Sequence, residues 1–275
     1  MNERDLLQGL SDYLAKFDES QLLVLNGSMA DPNIPKDQFQ DIDLSMFTLD
    51  ISRTTDRIHQ CTLLHDVLLF SETRRETTFA HVSVRLLLES GTEVDFNIYS
   101  NKEVFLRKIN HFVVPLFNKL NEFMDFAPPT HRPFHVDKPN AEEFHRLFID
   151  INWAVANVLK GVRREQLIYA KHKYDTTLQP KLKKLLVWYI RDQHDWNVSL
   201  GSHGKRIKEY VQPEIYNHYL ETYSTNCMES IPKTLLRAKS FVADIGTRLA
   251  DSLGYQFPTD INNKMSRFLG LEHFE

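Results

Sequence analysis

Between Ala127 and Asn140 the chain reads APPTHRPFHVDKPN, with four prolines in fourteen residues. Proline lacks a backbone donor and fixes φ, so neither a helix nor a central strand runs through such a stretch. It divides two kinds of patterning. Before it, apolar residues recur at the two-residue period of half-buried strands; after it, they recur at helical spacing. A chain of 275 residues is long enough for two modest domains, each with its own core. The expected class is therefore α+β. Residues 1–130 carry a mixed β-sheet with flanking helices, and residues 131–275 form an all-helical domain.

The amino-terminal part opens with an amphipathic stripe of Leu6, Leu7, Leu10, Tyr13 and Leu14, predicting a helix over 3–17. The run QLLVLNG (21–27) predicts a buried strand ending at Gly27. In DIDLSMFT (41–48), Ile42, Leu44 and Met46 alternate with Asp41, Asp43 and Ser45. TDRIHQCTLLH (55–65) suits a helix, and DVLLFSE (66–72) a strand. The segment 81–100 predicts a β-hairpin turning at Ser90-Gly91, and its second arm alternates Val94, Phe96 and Ile98 with Glu93, Asp95 and Asn97. Beyond the prolines, Asn140 and Glu143 have capping-box spacing. They open a helix expected to end at Gly161. RREQLIYAKHKY, PKLKKLLVWYIRDQHD, PEIYNHYLETYS and PKTLLRAKSFVADIGTRLADSLG supply further helices.

Bulk properties narrow the function classes. Net charge is −4, so no basic excess marks a nucleic-acid partner. No apolar run reaches membrane-spanning length. The first residues, MNERDLLQGL, hold charges and no apolar leader core. Cys61 and Cys227 lie far apart and suit free thiols in a reducing, cytoplasmic setting. Trp153, Trp188 and Trp196 suit core or interdomain packing.

Two carboxylates at i and i+2 on a strand point the same way, about 7 Å apart. Like charges at that range raise each other's pKa, and a divalent cation removes the conflict. Mg²⁺ takes hard oxygen ligands, often one or two carboxylates plus substrate phosphates. Asp41 and Asp43 form such a pair, and Asp95 adds a third carboxylate if its strand is a neighbour. Gly27 and Ser28 supply a turn whose backbone N–H groups and hydroxyl can hold phosphate oxygens. Taken singly, a D-x-D reads as the wet face of a strand and Gly-Ser as a turn. Their joint order points to phosphoryl or nucleotidyl transfer. Gly201 and Gly204 before Lys205, in SLGSHGKRIKEY, do not make a Walker A loop. Lys205 reads as a solvated cation or as a phosphate contact. His131 and His135 have loose metal spacing but read as loop residues.

The stretch NGSMADPNIPKDQFQDIDLSMF resembles the signature of the aminoglycoside 6-adenylyltransferases, the streptomycin adenylyltransferase group of the polymerase-beta-type nucleotidyltransferases. NWAVANVLKGVRREQLIYAKH, SLGSHGKRIKEYV and LADSLGYQFP resemble further family segments, so the likeness spans roughly residues 20–258. It implies transfer of AMP from ATP to a hydroxyl of an aminoglycoside, the 6-hydroxyl of streptomycin, with Mg²⁺. It implies Asp41 and Asp43 as metal ligands, and Asp95 as metal ligand or general base. Gly27 and Ser28 would hold the triphosphate, Lys205 would touch phosphate, and the helical domain would close over the acceptor. Three positions depart from the family pattern. Met29 replaces an Arg after Gly-Ser, which takes a cation from the triphosphate neighbourhood. Asn152 and Arg163 replace tryptophans. Glu93, Glu142, Glu143 and Asp150 are candidate contacts for a polycationic acceptor by type. Another small-molecule or protein acceptor, or a non-catalytic nucleotide-binding descendant, are the alternatives.

Overall fold

The structure, a computed structural model, describes residues 3–32, 34, 36–37, 40–64, 66–76, 80–109, 113–120, 136–224 and 226–269. The His131/His135 pair lies outside them. The chain divides into two compact units, Met1–Pro133 and Phe134–Glu275.

The first unit runs α1 (Glu3–Leu14), β1 (Ser20–Asn26), α2 (Gly27–Ala30), β2 (Ile42–Thr48), α3 (Ile51–His59), β3 (Val67–Glu76), β4 (Ala80–Leu88), β5 (Glu93–Tyr99), α4 (Lys102–Lys108) and β6 (Val114–Asn118). Among the described residues its six strands form one sheet in the order β3-β4-β5-β2-β1-β6. β2 and β5 run parallel, while the other neighbouring pairs run antiparallel, so the sheet is mixed. Helix α3 begins earlier than the sequence pattern suggests, because the Asp50 side chain accepts from the Arg53 backbone N–H and caps it.

The two faces of the sheet differ. One packs Leu44, Met46, Val84 and Phe96 against Leu6, Leu10 and Leu14 of α1 and Ile58 of α3. The other is apolar at one end only. There Leu22, Val24, Phe47 and Tyr99 pack against Phe105 of α4. Helix α4 is positioned by Asn101, whose side chain accepts from the Val104 N–H. The same face continues along the strands to polar residues at its other end.

The second unit contains α5 (Ala141–Arg163), α6 (Leu167–Lys173), a π-helical turn (Tyr174–Leu178), α7 (Gln179–Asp192), α8 (Ile207–Tyr210), α9 (Pro213–Leu220), α10 (Ser230–Leu253) and α11 (Thr259–Leu269). Both halves of the capping box are present: Asn140 Oδ1 accepts from the Glu143 N–H, and Glu143 Oε2 accepts from the Asn140 N–H. Helix α5 does not stop at Gly161. It runs on to Arg163. Gly161 is there for packing, since a Cβ would lie 2.9 Å from the Ala170 Cβ. Trp188 is in the helical core, and Trp196 packs against it. Trp153, in contrast, is 63% exposed. Cys61 is buried and Cys227 exposed, both as free thiols. Among the described residues no helix is long and apolar enough to cross a membrane.

Candidate active site

Strand register brings four polar residues into one row. Asn26 of β1 faces Asp43 of β2, Asp43 faces Asp95 of β5, and Asp95 faces Arg85 of β4. The Asp43–Asp95 match matters most. These carboxylates are far apart in sequence, yet they sit on adjacent strands about 4.8 Å apart. A second polar row lies behind the first. Ser45 accepts from Asn26 Nδ2 at 2.7 Å, while Asn97 Oδ1 accepts from Ser83 Oγ at 3.2 Å and lies 3.3 Å from His81 Nε2.

β1 ends directly in α2, with Gly27 at φ 67°. A left-handed backbone there costs glycine nothing and strains most other residues. The site imposes a second restriction on the same position. A Cβ at residue 27 would lie 2.9 Å from Asp43 Cγ and would collide with the carboxylate oxygen beyond it. Asp43 therefore leans over the Gly27 backbone. Ser28 follows in the same short turn. Lys36 closes the turn from below, its Nζ donating to the carbonyls of Ser28 at 3.1 Å and Met29 at 2.5 Å. The Met29 side chain packs against the apolar face of the sheet.

Asp95 leans the other way. Arg85 Nε donates to Asp95 Oδ1 at 3.1 Å, and the same guanidinium reaches Glu93 Oε1. Burial pushes the Asp95 carboxyl above the usual range; Arg85 opposes this, and the charges of Glu93 and Asp41 add to it. Asp41, just ahead of β2, is exposed yet close enough for its charge to be felt at Asp95. Among the described residues no three His, Cys, Asp or Glu side chains gather tightly enough to hold a metal ion. The donor chemistry nevertheless suits Mg²⁺. All three side chains are hard carboxylate donors, and Mg²⁺ commonly binds through one or two of them with water and substrate phosphate completing the shell.

The other expected residues fall elsewhere. Lys205 belongs to the helical unit, where it is exposed and its side chain lies over Gly201. Asn152 is buried, donating from Nδ2 to the Phe148 carbonyl at 2.8 Å. Arg163 donates to the Phe268 carbonyl at 3.2 Å. Of the candidate acceptor acids, Glu143 is engaged in the capping box, Glu93 with Arg85, and Glu142 with Arg146 at 3.6 Å. Arg85, Asn26 and Lys36 were not singled out by sequence patterning. His81, Ser83 and Arg85 alternate with Val82, Val84 and Leu86. That alternation is the signal that marks Asp95, and it was available for Arg85 too.

The family model for streptomycin adenylyltransferase matches residues 2–271 of this chain. The chain belongs to the streptomycin adenylyltransferase family. Among curated members is the aminoglycoside 6-adenylyltransferase of Bacillus subtilis (strain 168), 23% identical over 266 residues, which cover 94% of this chain and 93% of the relative. The aminoglycoside 6-adenylyltransferase of Staphylococcus aureus is 25% identical over 232 residues, covering 82% of each chain. A crystal structure of an aminoglycoside 6-adenyltransferase from Bacillus subtilis aligns over 98% of both chains, with 18% identity and a TM-score of 0.49.

Proposed function

We propose that this protein transfers AMP from ATP to a hydroxyl of an aminoglycoside, the 6-hydroxyl of streptomycin, with Mg²⁺ as cofactor. The observation that carries the reading is the parallel register of Asp43 with Asp95, with Gly27 packed under Asp43. The Gly27 and Ser28 backbone N–H groups hold the triphosphate, where a side chain at residue 27 would intrude. Asp41, Asp43 and Asp95 hold the cation, which when bound neutralises triphosphate charge. Asp95 also serves as general base, taking the proton of the acceptor hydroxyl. The acceptor oxygen attacks the α-phosphorus, a new O–P bond forms, and the α–β bridging bond breaks. Pyrophosphate leaves with that electron pair.

The helical unit supplies the acceptor surface, and Lys205 adds a phosphate contact. The protein works in the cytoplasm, where ATP is available. Mass spectrometry of an aminoglycoside panel incubated with the protein, ATP and Mg²⁺ tests the reading. Streptomycin should gain the mass of one adenylyl group with release of one pyrophosphate. A panel left unmodified by a preparation that still binds ATP would move the acceptor to another class of molecule. ATP binding with no transfer to any acceptor would point to a non-catalytic descendant.

A further inference from the structure

Asp43 and Asp95 occupy facing register positions, and each carboxylate also lies against a neighbour on its far side. Asp43 leans toward β1, over Gly27, while Asp95 bonds to Arg85 on β4. A cation shared by the two carboxylates competes with Arg85 for the charge of Asp95, one of whose oxygens already accepts from the guanidinium. We propose that Arg85 is a latch on Asp95: a positioning residue that holds this carboxylate away from Asp43 until the divalent cation and nucleotide displace it. The proposal rests on the reading of Asp95 as a cation ligand given above.

Three features fit Arg85 for that task. Its guanidinium stays charged at any working pH, so it competes with the cation throughout and is not removed by neutralisation. The pair is weak enough to break. The Arg85 side chain is 59% exposed and Asp95 24% exposed, and an ion pair that wet contributes little. Finally, the displaced group has somewhere to stay. Glu93 precedes Asp95 by two residues on the same strand face and already pairs with Arg85. When Asp95 turns away, the guanidinium keeps that second carboxylate and need not be wholly released to water. Direct strand pairing of Arg85 with Asp95 keeps the latch within reach for the return.

The consequence is a threshold on loading. In this arrangement the cation competes with an internal guanidinium for one of its ligands, and its affinity is set by both. Mn²⁺ is the probe. Its binding, in the presence of an α,β-methylene analogue of ATP and without any acceptor, can be followed by electron paramagnetic resonance. The full-length wild type, Arg85→Gln, Asp95→Asn and the double variant complete a cycle. Arg85→Gln should tighten Mn²⁺ binding by about two- to fivefold, in keeping with loss of one exposed ion pair. In the Asp95→Asn background the same change should do nothing. Arg85→Lys, which keeps the charge but loses the two-armed fork, should tighten binding by less than Gln does.

Unchanged or weaker Mn²⁺ binding in Arg85→Gln, with the variant folded by circular dichroism, would overturn the latch. So would an equal gain in the presence and absence of Asp95, since Arg85 would then act only as a distant charge. The underlying reading fails in a different way. If Asp95→Asn alone leaves Mn²⁺ affinity unchanged, Asp95 is not a cation ligand at all. If that variant binds weakly while Arg85→Gln has no effect, Asp95 keeps its role and only the latch is lost.

Discussion

Asp43 occupies the space that a side chain at residue 27 would need: a Cβ there would come within 2.9 Å of its Cγ. The glycine is held by two independent constraints, its φ of 67° and this close approach. Gly27→Ala should therefore cost about 1 kcal/mol or more in backbone strain. Relief of the clash should also push Asp43 out of the row it shares with Asp95. We expect a lower urea midpoint together with a larger loss of ATP binding than the stability change accounts for. An alanine variant that binds nucleotide normally would remove the turn from the site.

Asp95→Asn should fold, because an uncharged amide no longer bears the burial penalty that raises the carboxyl's pKa. Its turnover, followed as pyrophosphate release, should fall by about 10²- to 10⁴-fold, the usual contribution of a positioned base. Asp43→Asn should lose turnover as well, with the deficit showing more strongly in binding of the metal–nucleotide pair. Near-normal turnover in Asp95→Asn would exclude it as the base.

Lys36 fastens the turn that follows β1 by donating to the Ser28 and Met29 carbonyls. Met cannot make those bonds. Lys36→Met should raise KM for ATP roughly tenfold, in line with the loss of charge-assisted hydrogen bonds. Its effect on kcat should be smaller, since Asp95 is untouched. A fall in kcat at constant KM would assign Lys36 to the chemical step.

Asn140 starts the longest helix of the first helical hairpin through a reciprocal pair of hydrogen bonds with Glu143. Asn140→Ala should destabilise the helical unit by about 1 kcal/mol. All three tryptophans, Trp153, Trp188 and Trp196, lie in that unit, so their fluorescence during urea unfolding isolates it. A midpoint unchanged from the wild type would show that the cap is redundant with the packing behind it.

Lys239, on α10, is 8% exposed, and its Nζ donates to the Asn262 carbonyl of α11 at 2.8 Å. Burial pushes its pKa down to about 8 from 10.5. The folded state thus binds fewer protons than the unfolded one between those values, and stability should rise with pH across that window. Lys239→Met removes the linkage. Its stability relative to the wild type should be greatest near pH 7 and should decline as pH climbs from 8 toward 10. A difference that does not vary with pH would mean Lys239 is solvated in the native state.

Much of this was visible in local pattern. The alternation of Ile42, Leu44 and Met46 with Asp41, Asp43 and Ser45 announces which side of β2 carries its polar groups, and burial of the three apolar residues agrees, although Ser45 is buried too. The Asn140/Glu143 spacing marks a helix start to the residue. What escaped depends on partners remote in sequence. Gly161 looks like a helix end because its reason, close approach of Ala170, lies on another helix. Arg85 looks like one more charge on a strand until the hairpin is folded about Ser90, five residues from both it and Asp95. Met29 looks like a lost cation, although its side chain packs with the apolar sheet face. Lys205 stays a proposal, since its loop lies in the other unit.

The parallel pairing of β2 with β5 has a consequence for how errors are tolerated. Ile42 faces Val94 and Leu44 faces Phe96 in the same ladder that aligns Asp43 with Asp95. Sliding one strand by a single residue would turn its whole apolar set to water and drive its carboxylates into hydrocarbon. The alignment of Asp43 with Asp95 is thereby inspected during folding, before any ligand arrives. A chain that misplaced its aspartates this way would not survive as a sluggish enzyme; it would fail to assemble.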